Sequence, residues 1–270
     1  MQNSRSWHQS GEAFAGHSVS TLQHDPLGPA KGSLVWAHGG SWQHGSASRW
    51  GHVTARLAAA TGWRVASVDY RLAPRHRFPR AVQDVLAAVA HADRTAPDLP
   101  LVVGGDSAGG TIASVAALTR RDRGERVPGQ LLAYPPLDPA CSRASYHARP
   151  EAFPSRRDLR AAWRLWLGAL DERTTTGIHV SPLDATGLAG MAPVHLAVGS
   201  LDPVLDDAVE YARRLSSHRV QVTLDVLPGV GHADILQSPS PVLESLVAAL
   251  STYDHHGRTP PCPNRQPSPH

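Results

Sequence analysis

Apolar and polar positions along the chain follow a repeating order. Short runs rich in Val, Leu and Ala stand at 33–37, 64–69, 101–104, 130–134, 194–198 and 219–226. Between and after them lie stretches with helical apolar spacing, which predict helices over 47–61, 79–94, 107–121, 156–170, 204–217 and 240–252. Near-continuous apolar strands alternating with amphipathic helices predict an α/β fold, with a mainly parallel sheet covered on both faces. The alternation runs without a linker-like break, so residues 1–255 are expected to form one domain. Residues 139–180 are too long for a simple crossover and carry "RRDLRAAWRLWLGAL". They are read as an inserted cap, with about residues 1–30 as its second element. The tail from 256, "HGRTPPCPNRQPSPH", is Pro-rich and expected to be disordered.

Composition narrows the function classes. Of 270 residues 41% are hydrophobic and 18% charged, enough apolar content for a sizeable core. The formal charge is +3, and the arginines behind the pI near 9.2 are spread along the chain rather than gathered in a block. Nucleic-acid binding is therefore not expected. The two cysteines, Cys141 and Cys262, lack zinc spacing and are not expected to pair. The start has no apolar leader core and no 18-residue apolar run occurs, which predicts a cytoplasmic protein with no membrane partner.

The chemistry centres on "VVGGDSAGGTIA" at 102–113. Gly105-Asp106-Ser107-Ala108-Gly109 matches G-x-S-x-G between an apolar run and a helical pattern, the strand–turn–helix setting of a nucleophile elbow. Small residues must flank Ser107 because the turn is too tight for side chains. The serine then projects at the carboxyl end of the sheet, where open α/β sheets bind ligands. The amide of Ala108 opens the following helix and can donate to an oxyanion.

A serine hydroxyl needs a base, and the base needs an orienting carboxylate. Asp202 in "GSLDPVLDDA" follows the run at 194–198, and His232 in "PGVGHAD" follows the run at 219–226. Both fall just past a strand's carboxyl end, on the rim where Ser107 projects. Asp206 and Asp207 are read as capping or electrostatic residues of their helix. No metal-binding spacing such as H-E-x-x-H competes for the histidines, and no cofactor is expected. Upstream, "WAHGGSW" places Gly39 and Gly40 after the run at 33–37, where their amides can complete an oxyanion hole with Ala108. His38 is expected to hold that loop by hydrogen bonds.

Together these residues resemble the hormone-sensitive-lipase-like family of α/β-hydrolases, which includes bacterial acetyl esterases. The likeness rests on HGG at 38–40, "DYRLAPRHRFPRAVQD" at 69–84, GDSAGG at 105–110, "YPPLD" at 134–138, "SPL" at 181–183, "DPVLDD" at 202–207 and the His232 loop. It implies a serine carboxylesterase acting on short acyl esters, with Ser107, Asp202 and His232 as the triad. Tyr70, Arg71 and Asp84 are expected to brace the sheet edge. Ser41 stands where the family usually has a third glycine. The segment before the first clear strand is shorter than in the family, which implies a reduced cap, open or completed by a second copy in a homodimer.

Substrate contacts are less legible. Trp42, beside the glycine loop, is a candidate pocket wall. Trp163, Trp166, Leu167 and Leu170 form a helical stripe that either lines a pocket for the alcohol group or packs the cap onto the body. The same triad would also serve an arylformamidase-like amidase or a natural-product tailoring hydrolase or cyclase. An inactive ligand-binding protein on this fold would typically lack His232.

Overall fold

The computed structural model describes residues 4–10, 18–168 and 177–253. Eight strands form one sheet: β1 (Ser4–Ser10), β2 (Ser18–His24), β3 (Ser33–Ala37), β4 (Arg64–Asp69), β5 (Leu101–Asp106), β6 (Gly129–Ala133), β7 (Val194–Gly199) and β8 (Val222–Leu227). Their order is β1-β2-β4-β3-β5-β6-β7-β8. β3 to β8 are parallel, whereas β1 and β2 run antiparallel at one edge. The central strands β3, β5, β6 and β7 are buried at every position, which is why they read as continuous apolar runs.

The antiparallel edge corrects the expectation that about residues 1–30 belong to a cap. Along Ser18–His24, Val19 and Thr21 are buried on one face and His24 at the strand's end on the other. It pairs with β4 from Ser20 opposite Asp69 to His24 opposite Val65. A mixed "SVSTLQH" has no long apolar run, so its period-2 pattern is masked by polar residues on the buried face. The tail from 254 and Leu170 lie outside the described residues.

Helices α1 (Gly51–Thr61), α2 (Arg80–Thr95), α3 (Ala108–Asp122), α6 (Leu205–Ser217) and α7 (Pro241–Ser251) cover the sheet. The chain moves from β3 outward to β4, then reverses to β5 and continues to β8. Right-handed crossovers therefore put α1 on one face and α2, α3 and α6 on the other, with α7 returning beside α1. The reversal makes the crevice beyond the carboxyl ends of β3 and β5 a topological switch point, the place where such sheets bind ligands. Between β6 and β7 the chain inserts α4 (Ser145–Ala148) and α5 (Arg156–Leu167). Ser155 caps α5, accepting a hydrogen bond from the Asp158 N–H. No helix among the described residues is long and apolar enough to cross a membrane.

Candidate active site

Ser107 stands between β5 and α3 with φ 49° and ψ −123°, a conformation that L residues rarely adopt. The Ser107 N–H donates to the Ala133 carbonyl at the end of β6, and the Thr111 N–H donates to the Ser107 carbonyl, so both neighbours hold the strained turn. A side chain at Gly109 would overlap the carbonyl oxygens of Ala37 and His38. Glycine there is a requirement of close approach between α3 and the end of β3.

His232 Nε2 lies 2.8 Å from Ser107 Oγ, and His232 Nδ1 lies 2.8 and 3.0 Å from the two oxygens of Asp202. An ionised carboxylate only accepts, so Nδ1 carries the proton and Nε2 is left to accept from the serine hydroxyl. Asp202 and His232 are almost wholly buried as side chains, and the Val204 N–H also donates to Asp202. Three residues far apart in sequence therefore meet on the rim of the sheet, joined end to end by hydrogen bonds.

The loop carrying His232 is fixed from two sides. The Tyr134 ring stacks obliquely beside the imidazole at 4.6 Å, and the Ile235 N–H donates to the Tyr134 hydroxyl. Asp234 accepts from Ser240 Oγ and the Val242 N–H, tying the loop to the start of α7. Asp206 and Asp207, the other acids of "DPVLDD", face away from the imidazole into the inserted segment. Asp206 accepts from the Ser145 N–H, and Asp207 from Leu137 N–H, Asp138 N–H and Tyr146 Oη. Burial pushes the Asp207 carboxyl up to about 6 despite these donors.

The glycine loop corrects one assignment. The Gly39 N–H, placed from sequence in an oxyanion hole, donates instead to Asp106 Oδ1 at 3.1 Å. Asp106 is fully buried, and its carboxyl is pushed up to about 7 by desolvation, opposed by the hydrogen bond from the Gly39 N–H. The N–H groups of Gly40 and Ser41 make no hydrogen bond among the described residues. Gly40 has φ +114° and Ser41 φ 54°, and a side chain at Gly40 would overlap the His44 carbonyl. Ala108 is the first residue of α3, so its N–H has no intrahelical partner. His38 holds the loop as expected: Tyr70 Oη donates to its carbonyl at 2.7 Å, and the Tyr70 ring stacks on its imidazole. Burial lowers the His38 pKa and favours the neutral ring. Arg71 pairs with buried Asp84 at 2.6 Å, bracing the loop after β4 against α2.

The tryptophans resolve toward packing. Trp42 stacks on Trp166 with ring centroids 4.7 Å apart and meets Trp163 at a 45° tilt with centroids 4.3 Å apart, and all three are at most 1% exposed. They fill the junction between the glycine loop and α5 and present no open wall, which corrects their reading as substrate contacts. The Phe78 N–H donates to the Trp166 carbonyl and the two rings meet edge to face, fastening α5 to the loop after β4.

The open space lies on the other side of His232. A cavity of about 560 Å³ is lined by Arg149, Pro150, Glu151, Phe153, Leu201 and His232, among others. Phe153 is 70% exposed, with its ring edge-on to the imidazole at 6.0 Å. Nothing in the sequence singles it out, because it is an isolated aromatic in a loop without periodicity.

A strained serine, an imidazole and a buried carboxylate on the carboxyl rim of this sheet define the class: an α/β-hydrolase-fold protein. The family model described as the alpha/beta hydrolase fold matches residues 34–236, and the chain belongs to that family, in its hormone-sensitive-lipase-like branch. It is 33% identical over 217 residues to the carboxylic ester hydrolase LipN of Mycobacterium tuberculosis, covering 76% of this chain and 57% of LipN. It is 32% identical over 253 residues to an ethyl acetate hydrolase of Pseudomonas putida, covering 87% of this chain and 76% of that protein. Among solved structures, a hyperthermophilic esterase from Pyrobaculum calidifontis superposes with a TM-score of 0.83 at 27% identity, covering 92% of this chain and 85% of that one.

Proposed function

We propose that the protein is a serine carboxylesterase that hydrolyses short-chain acyl esters, acetate esters foremost. The observation that carries this reading is the continuous hydrogen-bonded path from Asp202 through His232 to Ser107. Ser107 Oγ attacks the ester carbonyl while His232 Nε2 takes its proton, and Asp202 stabilises the imidazolium. The N–H groups of Gly40, Ser41 and Ala108 receive the developing oxyanion, each donor worth about 3 kcal/mol at the transition state. Gly39 anchors the loop through Asp106 rather than donating to substrate. His232 then protonates the departing alkoxide, and a water molecule repeats the cycle to release the acid and free Ser107. The path uses only side chains and backbone amides of this chain.

Two features support a short acyl group. The Trp42–Trp163–Trp166 cluster fills the space between the glycine loop and α5, where a long acyl chain would need a channel. The relative from Pseudomonas putida is named for ethyl acetate. A panel of p-nitrophenyl esters of rising chain length tests the reading. Expected is a maximum in kcat/KM at acetate to butyrate with at least a tenfold fall by octanoate; a maximum at octanoate or beyond overturns the short-chain preference.

A further inference from the structure

Helix α5 carries Arg156, Arg160 and Arg164 at i, i+4 and i+8, with Arg157 beside them. Side chains at this spacing lie one above another on a single face, about 12 Å from first to last. Like charges at i, i+4 repel, and the only acid in α5, Asp158, faces Arg157 at 3.5 Å. Arg160 and Arg164 are exposed and have no carboxylate within ion-pair distance among the described residues. Arg156 donates through Nε to the Cys141 carbonyl, which fixes its stem, and among the described residues its terminal nitrogens make no hydrogen bond.

All four arginines line one cavity of about 410 Å³, together with Tyr146, His147, Pro150 and Ser155. Pro150 also lines the cavity at His232. The mouth of the site and the arginine groove are thus the two sides of one short loop. Before Pro150 the mouth offers apolar contact through Phe153 and Leu201 beside the opposite charges of Arg149 and Glu151, and after it concentrated positive charge. His232 delivers its proton to the departing oxygen, so a group leaving through this mouth is the alcohol half of the ester. A planar guanidinium engages a phosphate with two parallel hydrogen bonds, so several in one groove select a compact polyanion over a neutral tail.

We propose that the arginine groove is an alcohol-side subsite for a phosphate group, and that the preferred substrates are short-acyl esters of alcohols bearing a terminal phosphate. This rests on the hydrolase reading above. The reaction is unchanged: water cleaves the carboxylic ester, and the alcohol leaves with its phosphate intact.

The test uses two series of acetate esters with two to ten methylenes, ω-acetoxyalkyl phosphates and ω-acetoxyalkyl methyl ethers, compared by the ratio of their kcat/KM values at each length. Expected is a ratio that climbs with length to about 10 or more once the phosphate passes Pro150. It falls toward 1 in the double variant R160Q/R164Q and in about 0.5 M NaCl. A ratio independent of length, or unchanged in the double variant, overturns the subsite. Titration of the longest phosphate ester into S107A separates the two readings. Binding that disappears in S107A/R160Q/R164Q supports the groove even if the wild-type protein hydrolyses neither series, an outcome that would overturn only the hydrolase reading. No arginine-dependent binding overturns the groove even if both series are hydrolysed.

Discussion

The Gly39 N–H donates to Asp106 Oδ1, and this bond decides which amides of the glycine loop remain for a substrate. Asp106 precedes the nucleophile in sequence and Gly39 is the second residue of the loop after β3, so one buried carboxylate ties the serine turn to the glycine loop. Asp106→Ala is expected to loosen that tie and lower kcat for p-nitrophenyl acetate at least tenfold. Asp106→Asn can keep an acceptor oxygen facing Gly39 and is expected to retain more activity. Equal losses in the two variants would contradict the anchoring role.

The same carboxylate makes a prediction about stability. Burial raises its folded pKa to about 7 from an ordinary value of 3.8, so the folded state holds the Asp106 proton more tightly than the unfolded chain does. Its contribution to stability is therefore fullest below about pH 4 and declines as pH rises to about 7. Between pH 5 and 7 the decline is on the order of 2 kcal/mol. Asp207, also raised, behaves alike, so the comparison with D106N isolates one group. Urea unfolding of both proteins should find D106N gaining on the wild type as pH rises over this interval. A difference that stays constant with pH would contradict a buried, titrating Asp106.

Asp202 and Asp206 stand in one short motif, yet only Asp202 meets the imidazole; Asp206 accepts from the Ser145 N–H. Asp202→Asn is expected to reduce kcat by about 10⁴, as loss of the orienting carboxylate does in serine hydrolases generally. Asp206→Asn should change kcat only a few-fold. The opposite ranking in steady-state kinetics would mean that the imidazole takes its orientation from another group.

Much of this was legible in the chain. Of the six parallel strands, β3, β5, β6 and β7 announce themselves as continuous apolar runs because every position is buried, whereas the partly exposed β8 shows as a run in which Val222, Leu224 and Val226 alternate with polar residues. Ser107, Asp202 and His232 were locatable because each follows such a run at its carboxyl end. The antiparallel edge was not legible, because Ser18–His24 buries Thr21 beside Val19 and His24 on the other face and so breaks the apolar alternation. That the Gly39 amide is engaged was not legible either, since its partner Asp106 lies 67 positions away. Aromatic spacing on α5 fitted both a pocket wall and a packed seam, and only three-dimensional stacking against Trp42 decides between them.

That packed seam has its own test. Trp166→Ala is expected to cost about 3–5 kcal/mol of stability, as truncation of a buried aromatic does. Trp166→Phe should leave the ester chain-length profile where it was, measured as the ratio of butyrate to acetate turnover. A profile shifted toward longer chains in Trp166→Phe would return this residue to the substrate pocket.

Phe153 should behave in the opposite way. Its ring is 70% exposed, so Phe153→Ala is expected to leave the melting temperature within about 2 °C. Its apolar face covers the mouth beside His232, so kcat/KM for esters of bulky apolar alcohols should fall about tenfold, mainly through KM. Thermal unfolding together with kinetics on benzyl acetate checks both halves; a large stability loss with unchanged KM would contradict a wall that is open to substrate.

The proposed hydrolysis turns on one hydroxyl, made reactive where a strained turn hands it to a ring nitrogen. Labelling with a fluorophosphonate probe and peptide mapping by mass spectrometry reads that reactivity directly. The adduct is expected on Ser107, slowed by orders of magnitude in His232→Ala and absent in Ser107→Ala. An unlabelled Ser107 in a protein that still cleaves p-nitrophenyl acetate would contradict it.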